Sequence, residues 1–239
     1  PILLEIGPLE IRYYGLIYAL GFMISYFFIK KFAKEKEINL TDKDIDSLVF
    51  YLAIGVIIGA RLFEILFYNL NFYLKNPLEM IAIWHGGLSF HGGLAGAAIV
   101  AYLFCKKKKI RFLQLADLVS IPAALALFFG RIANFINGEL YGKITNLPWA
   151  VKFQNVEGFR HPTQIYEALK NLIIFFVLLN FRRYKRKDGY LFGLFLILYS
   201  AIRFFIEFLK ESETYIGPLT TGQFLNIPMF ILGLYLILR

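Results

Sequence analysis

The 239-residue chain has a single cysteine, Cys105, three histidines and two tryptophans, and only 18% of its residues are charged. One cysteine excludes an intramolecular disulfide, and no grouping of His, Cys and Asp residues indicates a metal site. Residues 1–12 lack the basic start and the small-residue cleavage site of a removable signal peptide. We therefore expect no cleaved leader, and expect the first apolar segment to act as its own signal.

Hydrophobic residues are abundant instead, at 58% of the chain, and 26 Phe and 15 Tyr raise the aromatic share to 18%. The mean hydropathy is +0.59. Soluble domains are nearer half apolar and about a quarter charged, so the composition predicts a polytopic membrane protein. A net charge of +9 can indicate nucleic-acid binding. Here, however, the Lys and Arg residues form short blocks between apolar segments, which is typical of topology signals and of contact with membrane lipids.

Seven apolar runs predict an all-α fold with seven transmembrane helices in a single integral membrane domain, residues 1–239. The predicted spans are about 14–29, 46–68, 90–105, 112–134, 163–181, 190–209 and 222–238. The first and third are long enough only if neighbouring residues extend them. Residues 77–84, which begin with Pro77, predict a short interfacial helix. A little extended structure is expected at 150–153.

The loops predict the orientation of the spans. Those after the first, third and fifth runs each carry five Lys or Arg residues, whereas those after the second, fourth and sixth carry one, three and one. Because basic loops stay in the cytoplasm, we expect the N-terminus and the small, weakly charged loops outside and the C-terminus inside.

Ionisable side chains within the apolar runs gather toward the predicted outer ends, and the inner halves are nearly pure hydrocarbon. An ionisable residue at such a position is by default a candidate functional residue. This pattern predicts a pocket that opens outward or into the outer leaflet, rather than the continuous polar path of a channel or transporter. The ionisable and polar residues at these outer ends are Tyr13, Tyr14, Arg61, Glu64, His91, Arg131, Asn134, Gln164, Tyr166, Glu167, Arg203 and Glu207.

Two of these sets have helical spacing. Arg203 and Glu207 are four residues apart and Arg61 and Glu64 are three apart, so each can form an ion pair on one helix face. Three arginines exceed the nearby carboxylates, and a phosphate is a natural ligand for the surplus guanidinium groups. Mutual neutralisation within each pair is the alternative interpretation.

The stretch 130–142, Gly-Arg-Ile-Ala-Asn-Phe-Ile-Asn-Gly-Glu-Leu-Tyr-Gly, concentrates polar residues and glycines at the end of the fourth run. An arginine that reaches out to interfacial water is the simpler interpretation. The presence of Asn134, Asn137 and Glu139 close to Arg131 in the sequence favours a functional site. Glycines at 55 and 59, 92 and 96, and 189 and 193 have the spacing of close helix packing, which we prefer for all except Gly92 and Gly93.

These stretches together resemble the prolipoprotein diacylglyceryl transferase family. The resemblance covers essentially the whole chain, and its longest signature, 130–142, is highly specific. It departs from some members in a shorter loop at 143–161, and in His85, to which we assign no catalytic role. The matching stretches are 12–15, 59–61, 87–93, 130–142, 160–167 and 203–208.

The resemblance implies a multi-pass enzyme of the bacterial inner membrane with its active site toward the outer face. Its lipid substrate would be phosphatidylglycerol, and its acceptor the lipobox cysteine near the signal peptide of a prolipoprotein. The diacylglyceryl group would be transferred to the cysteine thiol, forming a thioether and releasing glycerol phosphate. No cofactor or metal is implied.

The resemblance also implies roles for particular residues. His91 is a base for the thiol and Glu139 a second candidate, while Arg131 and Arg203 stabilise the leaving phosphate. The phosphatidylglycerol-binding set is Tyr14, Gly92, Gly93, Arg131, Asn134, Gly142 and Arg203. The supporting set is Arg61, Glu64, Asn137 and Glu207.

Two other functions remain open: an anion or small-solute transporter, and a non-enzymatic lipid-binding or assembly protein. The first predicts charge in the inner halves of the spans, and the second predicts no base beside the arginines. Cys105 lies at the predicted cytoplasmic end of its run, so we interpret it as apolar filling. His161 either caps the fifth run or contacts substrate.

Overall fold

A computed structural model of the chain describes residues 2–6, 9–36, 38–211 and 214–239, and the side chains of 2–6, 9–16, 18, 19, 22, 85 and 90 lie outside this description. Helices dominate it, so the all-α prediction is confirmed. The α-helices are α1 (Tyr13–Glu35), α2 (Asp42–Phe63), α3 (Leu70–Lys75), α4 (Phe90–Lys108), α5 (Phe112–Asn137), α6 (Thr163–Phe181), α7 (Tyr190–Ile206) and α8 (Thr221–Leu238).

Extended structure in the described residues is confined to short antiparallel pairs. Strand β1 (Ile2–Ile6) pairs with β2 (Leu9–Arg12), and β3 (Tyr215–Ile216) with β4 (Leu219–Thr220). Val151 also pairs with Arg160, through two backbone hydrogen bonds of 3.0 and 2.9 Å. Extended structure therefore occurs at Val151, within the predicted segment.

Five helical segments are long and apolar enough to cross a membrane, among the residues described, so the chain is a multi-pass membrane protein. The first and third predicted runs form the helices α1 and α4, of 23 and 19 residues, and neither is among these five segments of the described residues. A total of seven spans therefore stays a prediction. The five segments are Asp42–Tyr68, Phe112–Asn137, Thr163–Phe181, Tyr190–Leu209 and Thr221–Leu238.

The helix expected at 77–84 is instead two 3-10 turns, Pro77–Met80 and Ile83–His85. Pro77 does begin the first turn, where its missing N–H costs nothing. Several carbonyls between Glu79 and Gly87 accept hydrogen bonds from a side chain of α2. Carbonyls turned toward that side chain are not aligned for a continuous helix, which explains the difference.

The chain divides into two compact units, and each is described by itself. One comprises Pro1–Phe28 and Ala116–Arg239, and is called here the α5–α8 unit; the other is Ile29–Leu115, called here the α2–α4 unit.

Helices α2 and α4 pack through glycine in the α2–α4 unit. A Cβ atom at Gly59 would lie 2.9 Å from Gly96 Cα, and one at Gly96 would lie 2.9 Å from Gly55 C. No side chain fits at such separations, so the two backbones touch directly. The packing role predicted for Gly55, Gly59 and Gly96 is confirmed, and Gly92, for which packing was not the preferred interpretation, packs closely as well.

Helix α7 packs on α8 in the α5–α8 unit in a similar way, since a Cβ atom at Gly193 would lie 2.9 Å from Gly233 O. Gly189, the other half of the predicted packing pair, has a different role. It precedes α7 with a φ of 88°, and its N–H donates to Asp117 Oδ2 at 2.8 Å. Asp117 also accepts from Phe192 N at 2.8 Å, so this carboxylate caps the start of α7.

Asp117 corrects the expectation that ionisable groups lie only toward one end of the runs. It is 3% exposed and lies in the second turn of α5, whereas Arg131 lies near the other end of the same helix. A buried carboxylate is tolerated there because two backbone N–H groups of a helix start satisfy it. The sequence alone does not reveal those partners.

Candidate functional site

Two arginines from different helices of the α5–α8 unit approach one carboxylate. Arg131 on α5 places Nε 3.9 Å from Glu167 Oε2, and Arg203 on α7 places Nη1 3.3 Å from Glu167 Oε1. The Glu167 side chain is only 1% exposed, while those of Arg131 and Arg203 are 17% and 20% exposed. The predicted pair of arginines is therefore brought together, by a glutamate that sequence analysis did not assign to the site.

A buried lysine completes this group. Lys170 Nζ lies 2.6 Å from Glu167 Oε2, and the lysine side chain is entirely buried. Nζ also lies 3.6 Å above the centroid of the Tyr199 ring, a cation–π contact. Arg203 Nη1 donates to the Tyr199 hydroxyl at 3.3 Å. One signal for this group was present in the sequence: Glu167 and Lys170 interrupt an otherwise apolar run at a spacing of three residues.

The stretch 130–142 folds back on itself. Helix α5 ends at Asn137, and Gly138, with a φ of 69°, turns the chain so that Glu139 faces the last helical turn. Arg131 Nη1 donates to Asn134 Oδ1 at 3.3 Å, and Asn134 Nδ2 donates to Glu139 Oε1 at 2.6 Å. Asn137 Nδ2 reaches the same oxygen at 3.5 Å. A continuous chain of polar groups therefore joins Arg131 to the Glu139 carboxylate.

Side chains of helix α6 also donate hydrogen bonds to the turn that carries Glu139. Gln164 Nε2 donates to the Glu139 backbone carbonyl at 2.6 Å, and Thr163 Oγ1 donates to Leu140 O at 2.9 Å. Both side chains are almost fully buried. The carboxylate of Glu139 is thus carried on a turn that its own helix and a neighbouring helix hold in place.

Gly142 has a packing role. A Cβ atom there would lie 2.7 Å from Thr163 Cγ2 and 2.8 Å from His161 Cβ. Its N–H donates to His161 O at 2.9 Å, and the next N–H, of Lys143, donates to Leu209 O at 2.9 Å. Glycine is therefore needed where three segments converge, and contact of Gly142 with lipid stays a prediction.

The expected pair of Arg203 and Glu207 forms, with 3.8 Å between Nη2 and Oε2. The Glu207 carboxylate also packs against Gly222, at the start of α8, where a Cβ atom would come within 2.5 Å of Oε1. Lys210 follows the α7 segment and is half-buried. Burial lowers the pKa of Lys210, and the positive charge of Arg203 lowers it further.

Positive charge exceeds negative charge in this group, which we call the cationic cluster. Its ion-paired members are three cations, Arg131, Lys170 and Arg203, and two carboxylates, Glu167 and Glu207. Among the described residues the balance is one positive charge. A partly exposed guanidinium pair with a positive balance suits an anionic ligand such as a phosphate.

The third predicted arginine, Arg61, belongs to the α2–α4 unit and is used differently. All five of its N–H groups donate to backbone carbonyls, and its guanidinium carbon lies 4.9 Å from the centroid of the Tyr73 ring. Arg61 is 5% exposed. The acceptors are Glu79, Met80, Ala82, Gly86 and Gly87, at 2.5–3.2 Å for all but the shorter bond to Glu79.

The possible ion pair between Arg61 and Glu64 does not form among the described residues. Glu64 Oε1 instead accepts from Asn69 Nδ2 at 2.8 Å. Because the donors of Arg61 are fully used, this arginine organises the segment 79–87 and has none left for a phosphate. Its place is with the supporting residues, as predicted, but it cannot belong to the phosphate-binding surplus.

His91 lies in the first turn of α4, in the α2–α4 unit, with an exposed side chain. Gly92 and Gly93 follow it and are buried against α2. A Cβ atom at Gly92 would lie 2.9 Å from Gly59 C, whereas one at Gly93 would meet its neighbours at ordinary distances of 3.4 Å or more. Helix packing thus accounts for glycine at position 92, and the expected approach of lipid to Gly92 and Gly93 stays a prediction.

Two further predictions concern single side chains. The side chain of Tyr14 lies outside the described part of the chain. His161 does not cap α6: its Nδ1 lies 3.2 Å from the Tyr166 hydroxyl, which also accepts from Trp149 Nε1 at 2.8 Å. The side chains of Trp149 and His161 therefore hold the loop before α6 against Tyr166 in the first turn of that helix.

Comparison of the sequence with known proteins identifies its relatives. The family model described as prolipoprotein diacylglyceryl transferase matches residues 1–239. The chain is 44% identical over 240 residues to the phosphatidylglycerol–prolipoprotein diacylglyceryl transferase of Geobacter sulfurreducens, covering 98% of this chain and 92% of that protein. It is 42% identical over 248 residues to the protein of that name from Rickettsia bellii, covering 100% and 94%. For the Ehrlichia ruminantium protein the identity is 44% over 245 residues, covering 98% and 94%. The chain therefore belongs to the prolipoprotein diacylglyceryl transferase family.

Proposed function

We propose that the chain transfers the diacylglyceryl group of phosphatidylglycerol to the thiol of a lipobox cysteine in a prolipoprotein. The sulfur attacks the glycerol carbon that bears the phosphate ester. A C–S bond forms, the C–O bond breaks, the thiol proton leaves, and glycerol phosphate departs. The product is a thioether-linked lipoprotein precursor, and this is the first step of lipoprotein maturation.

The cationic cluster is the observation that carries this proposal. As the C–O bond breaks, the phosphate oxygen gains negative charge. Arg131 and Arg203 converge from α5 and α7, and each is partly exposed, so their guanidinium groups can hold that charge without first moving together. Preorganised donors of this kind commonly supply the largest share of rate acceleration.

The cysteine thiol must lose its proton, because the thiolate is the nucleophile. Two bases are candidates. Glu139 carries a carboxylate joined to Arg131 through Asn134, so a proton acceptor and the phosphate-binding arginine share one chain of hydrogen bonds. His91 carries an imidazole, the side chain that most often acts as a general base, and is exposed. The hydrogen bond from Asn134 to Glu139 also supports a role for Asn134 in holding the glycerol headgroup.

The direct test is transfer of the radiolabelled diacylglyceryl group from phosphatidylglycerol to a lipobox peptide by the purified protein in detergent. Transfer by the wild type, and its loss in Arg131→Ala, Arg203→Ala and His91→Ala, is the expected result. A wild-type protein that folds and binds phosphatidylglycerol but transfers no label would contradict the proposal and favour the lipid-binding alternative.

Variants of the two candidate bases separate their roles. If Glu139 takes the proton, Glu139→Gln lowers transfer more than His91→Gln, and its remaining activity rises with pH as more peptide thiol ionises by itself. The opposite order assigns the proton to His91. A peptide with serine in place of the lipobox cysteine is the control for reaction at sulfur.

We further propose seven spans, with the N-terminus outside, the C-terminus cytoplasmic and the site toward the outer face. Helices α1 and α4 would extend about 34 and 28 Å at roughly 1.5 Å per residue, against about 30 Å of hydrocarbon. Direct backbone contact with α2 supports a position for α4 alongside a spanning helix. The basic loops support the orientation.

Single cysteines in a Cys105→Ala background test this topology with a membrane-impermeant maleimide in intact cells. Cysteines at positions 76 and 147 are expected to react at once. Cysteines at positions 107 and 185 are expected to react only after permeabilisation. The reverse pattern would place the cationic cluster on the cytoplasmic side, where an exported acceptor peptide does not arrive.

A further inference from the structure

Lys170 is a cation of this cluster to which neither the proposed reaction nor the resemblance gives a role. We propose that it is a positioning residue: it neutralises Glu167, so that Arg131 and Arg203 keep their positive charge for the phosphate of the lipid substrate. This inference rests on the proposed function. It concerns affinity for an anionic headgroup, which can be measured apart from transfer.

The geometry makes Lys170 the principal partner of Glu167. Its Nζ lies 2.6 Å from Oε2, whereas Arg131 Nε lies 3.9 Å from that oxygen and Arg203 Nη1 lies 3.3 Å from Oε1. At 2.6 Å the contact is a charge-assisted hydrogen bond, and the longer contacts are weaker. Glu167 therefore aligns the two guanidinium groups without being their full counterion.

Because Lys170 and Glu167 are buried, it matters that the lysine and not the arginines neutralises Glu167. The side chains of Lys170 and Glu167 are 0% and 1% exposed, so water does not compensate a charge that loses its partner. The centroid of the Tyr199 ring lies 3.6 Å from Nζ, so the Lys170 ammonium has a second favourable contact, which helps to hold the side chain in place. The partly exposed arginines, by contrast, can reach a ligand.

The charge balance shows what removal of Lys170 would do. With Lys170, the ion-paired members of the cluster described here are three cations and two carboxylates; without it, two of each remain. Glu167 would then draw on Arg131 and Arg203 for its neutralisation. A cluster with no surplus charge attracts an anionic headgroup less, although both arginines are still present.

The test uses Lys170→Met, which removes the charge and keeps an unbranched side chain, together with the double variant Lys170→Met/Glu167→Gln, which removes one charge of each sign. We expect KM for phosphatidylglycerol to rise about tenfold or more in Lys170→Met, with a smaller change in kcat, because one charged interaction is lost. In the double variant two cations face one carboxylate, which restores the surplus of one positive charge, so KM should return to within about threefold of the wild-type value.

A merely structural role gives different results. If Lys170 only fills space, Lys170→Met loses thermal stability with an unchanged KM, and the double variant, which has lost two packed groups, is worse than the single one. Either result would overturn the inference. Should Lys170→Met fail to fold because Glu167 is left buried and unpaired, the double variant still decides, since weakened lipid affinity in the folded double variant contradicts the proposal.

Lipid binding separates this inference from the proposed function. Retention of the protein on nanodiscs or vesicles of phosphatidylglycerol, compared with phosphatidylcholine, reports headgroup affinity without any acceptor peptide. Lys170→Met should lose most of the preference for the anionic lipid, and the double variant should regain it. A wild type that prefers phosphatidylglycerol but transfers nothing would refute the proposed reaction alone. A Lys170→Met variant with unchanged preference would refute the inference alone.

Discussion

Arg61 and Arg203 carry the same guanidinium group on helices long and apolar enough to span a membrane, and the two regions use it in opposite ways. Arg61 is 5% exposed and directs all five N–H groups to backbone carbonyls. Arg203 is 20% exposed at its side chain and makes longer contacts with the side chains of Tyr199, Glu167 and Glu207.

The difference lies in the partners rather than in burial alone. Carbonyl groups satisfy donors without neutralising charge, and five of them leave no donor for a ligand. Carboxylates at 3.3–3.9 Å align the guanidinium groups of Arg131 and Arg203 but do not saturate them. An arginine in an apolar helix is therefore a structural or a binding residue according to how many of its N–H groups the fold has already used.

The largest effect expected from this comparison is on catalysis. Arg203→Gln should lower transfer by about 100-fold or more, because a donor to the developing phosphate charge is removed. Its thermal midpoint should change little, since the side chain is partly exposed. Initial transfer rates and thermal unfolding in detergent measure the two quantities. Normal transfer activity in Arg203→Gln would show that Arg203, in contrast to our expectation, is not a binding residue.

Arg61→Gln should show the opposite profile. Five carbonyls in the segment 79–87, four of them in part-buried hydrogen bonds and that of Ala82 in a buried one, lose their donor, at a cost of at least about 2 kcal/mol in the free energy of unfolding. The thermal midpoint should fall, while transfer per folded molecule stays near that of the wild type. Arg61→Lys is the matched control: it keeps the charge but not the five-donor fork, so it should be destabilised as well.

Glycine packing in the α2–α4 unit offers a finer test. Gly92→Ala brings a methyl group into contact with Gly59 and Phe63 and should cost about 1–3 kcal/mol in stability. Gly93→Ala meets only ordinary van der Waals distances and should be tolerated. Thermal unfolding of the two variants checks this. A stable Gly93→Ala variant that has lost transfer activity would point back to lipid contact at that residue.

Cys105→Ala should have the smallest effect. The thiol is buried near the end of α4, and its loss should cost about 1 kcal/mol or less in stability, with transfer activity retained. The reacting thiol in the proposed mechanism belongs to the acceptor peptide. Activity that disappeared with Cys105, while the folded fraction was preserved, would require a thiol of the enzyme itself in the reaction.

Helix formation was the most predictable part of the molecule. Each of the seven predicted runs forms a helix, and the bounds of the fifth, 163–181, coincide with those of α6. Helix α2 begins four residues before its predicted run, at Asp42. The reason is local: Thr41 and Asp44 form a reciprocal capping box ahead of the first apolar residues.

The site was predictable in its arginines and less so in what surrounds them. Arg131, Asn134, Glu139 and Arg203 are distinctive in type and spacing. Glu167 and Lys170 also interrupt an apolar run, yet their importance depends on α5 and α7, which bring the arginines and Tyr199 toward them. Spacing along one helix cannot report neighbours that arrive from other helices.

The sequence by itself determined a membrane protein of apolar helices, its family and the identity of the polar groups among those helices. Periodicity and composition are properties of short segments, so they can be read from the sequence without knowledge of the fold. Only the tertiary structure decided which charges meet. In the folded chain Arg61 donates to backbone carbonyls, Asp117 caps the start of α7, and Glu167 pairs with a buried lysine. Those choices depend on contacts between distant segments, because a charge in an apolar environment is defined by the partner that reaches it.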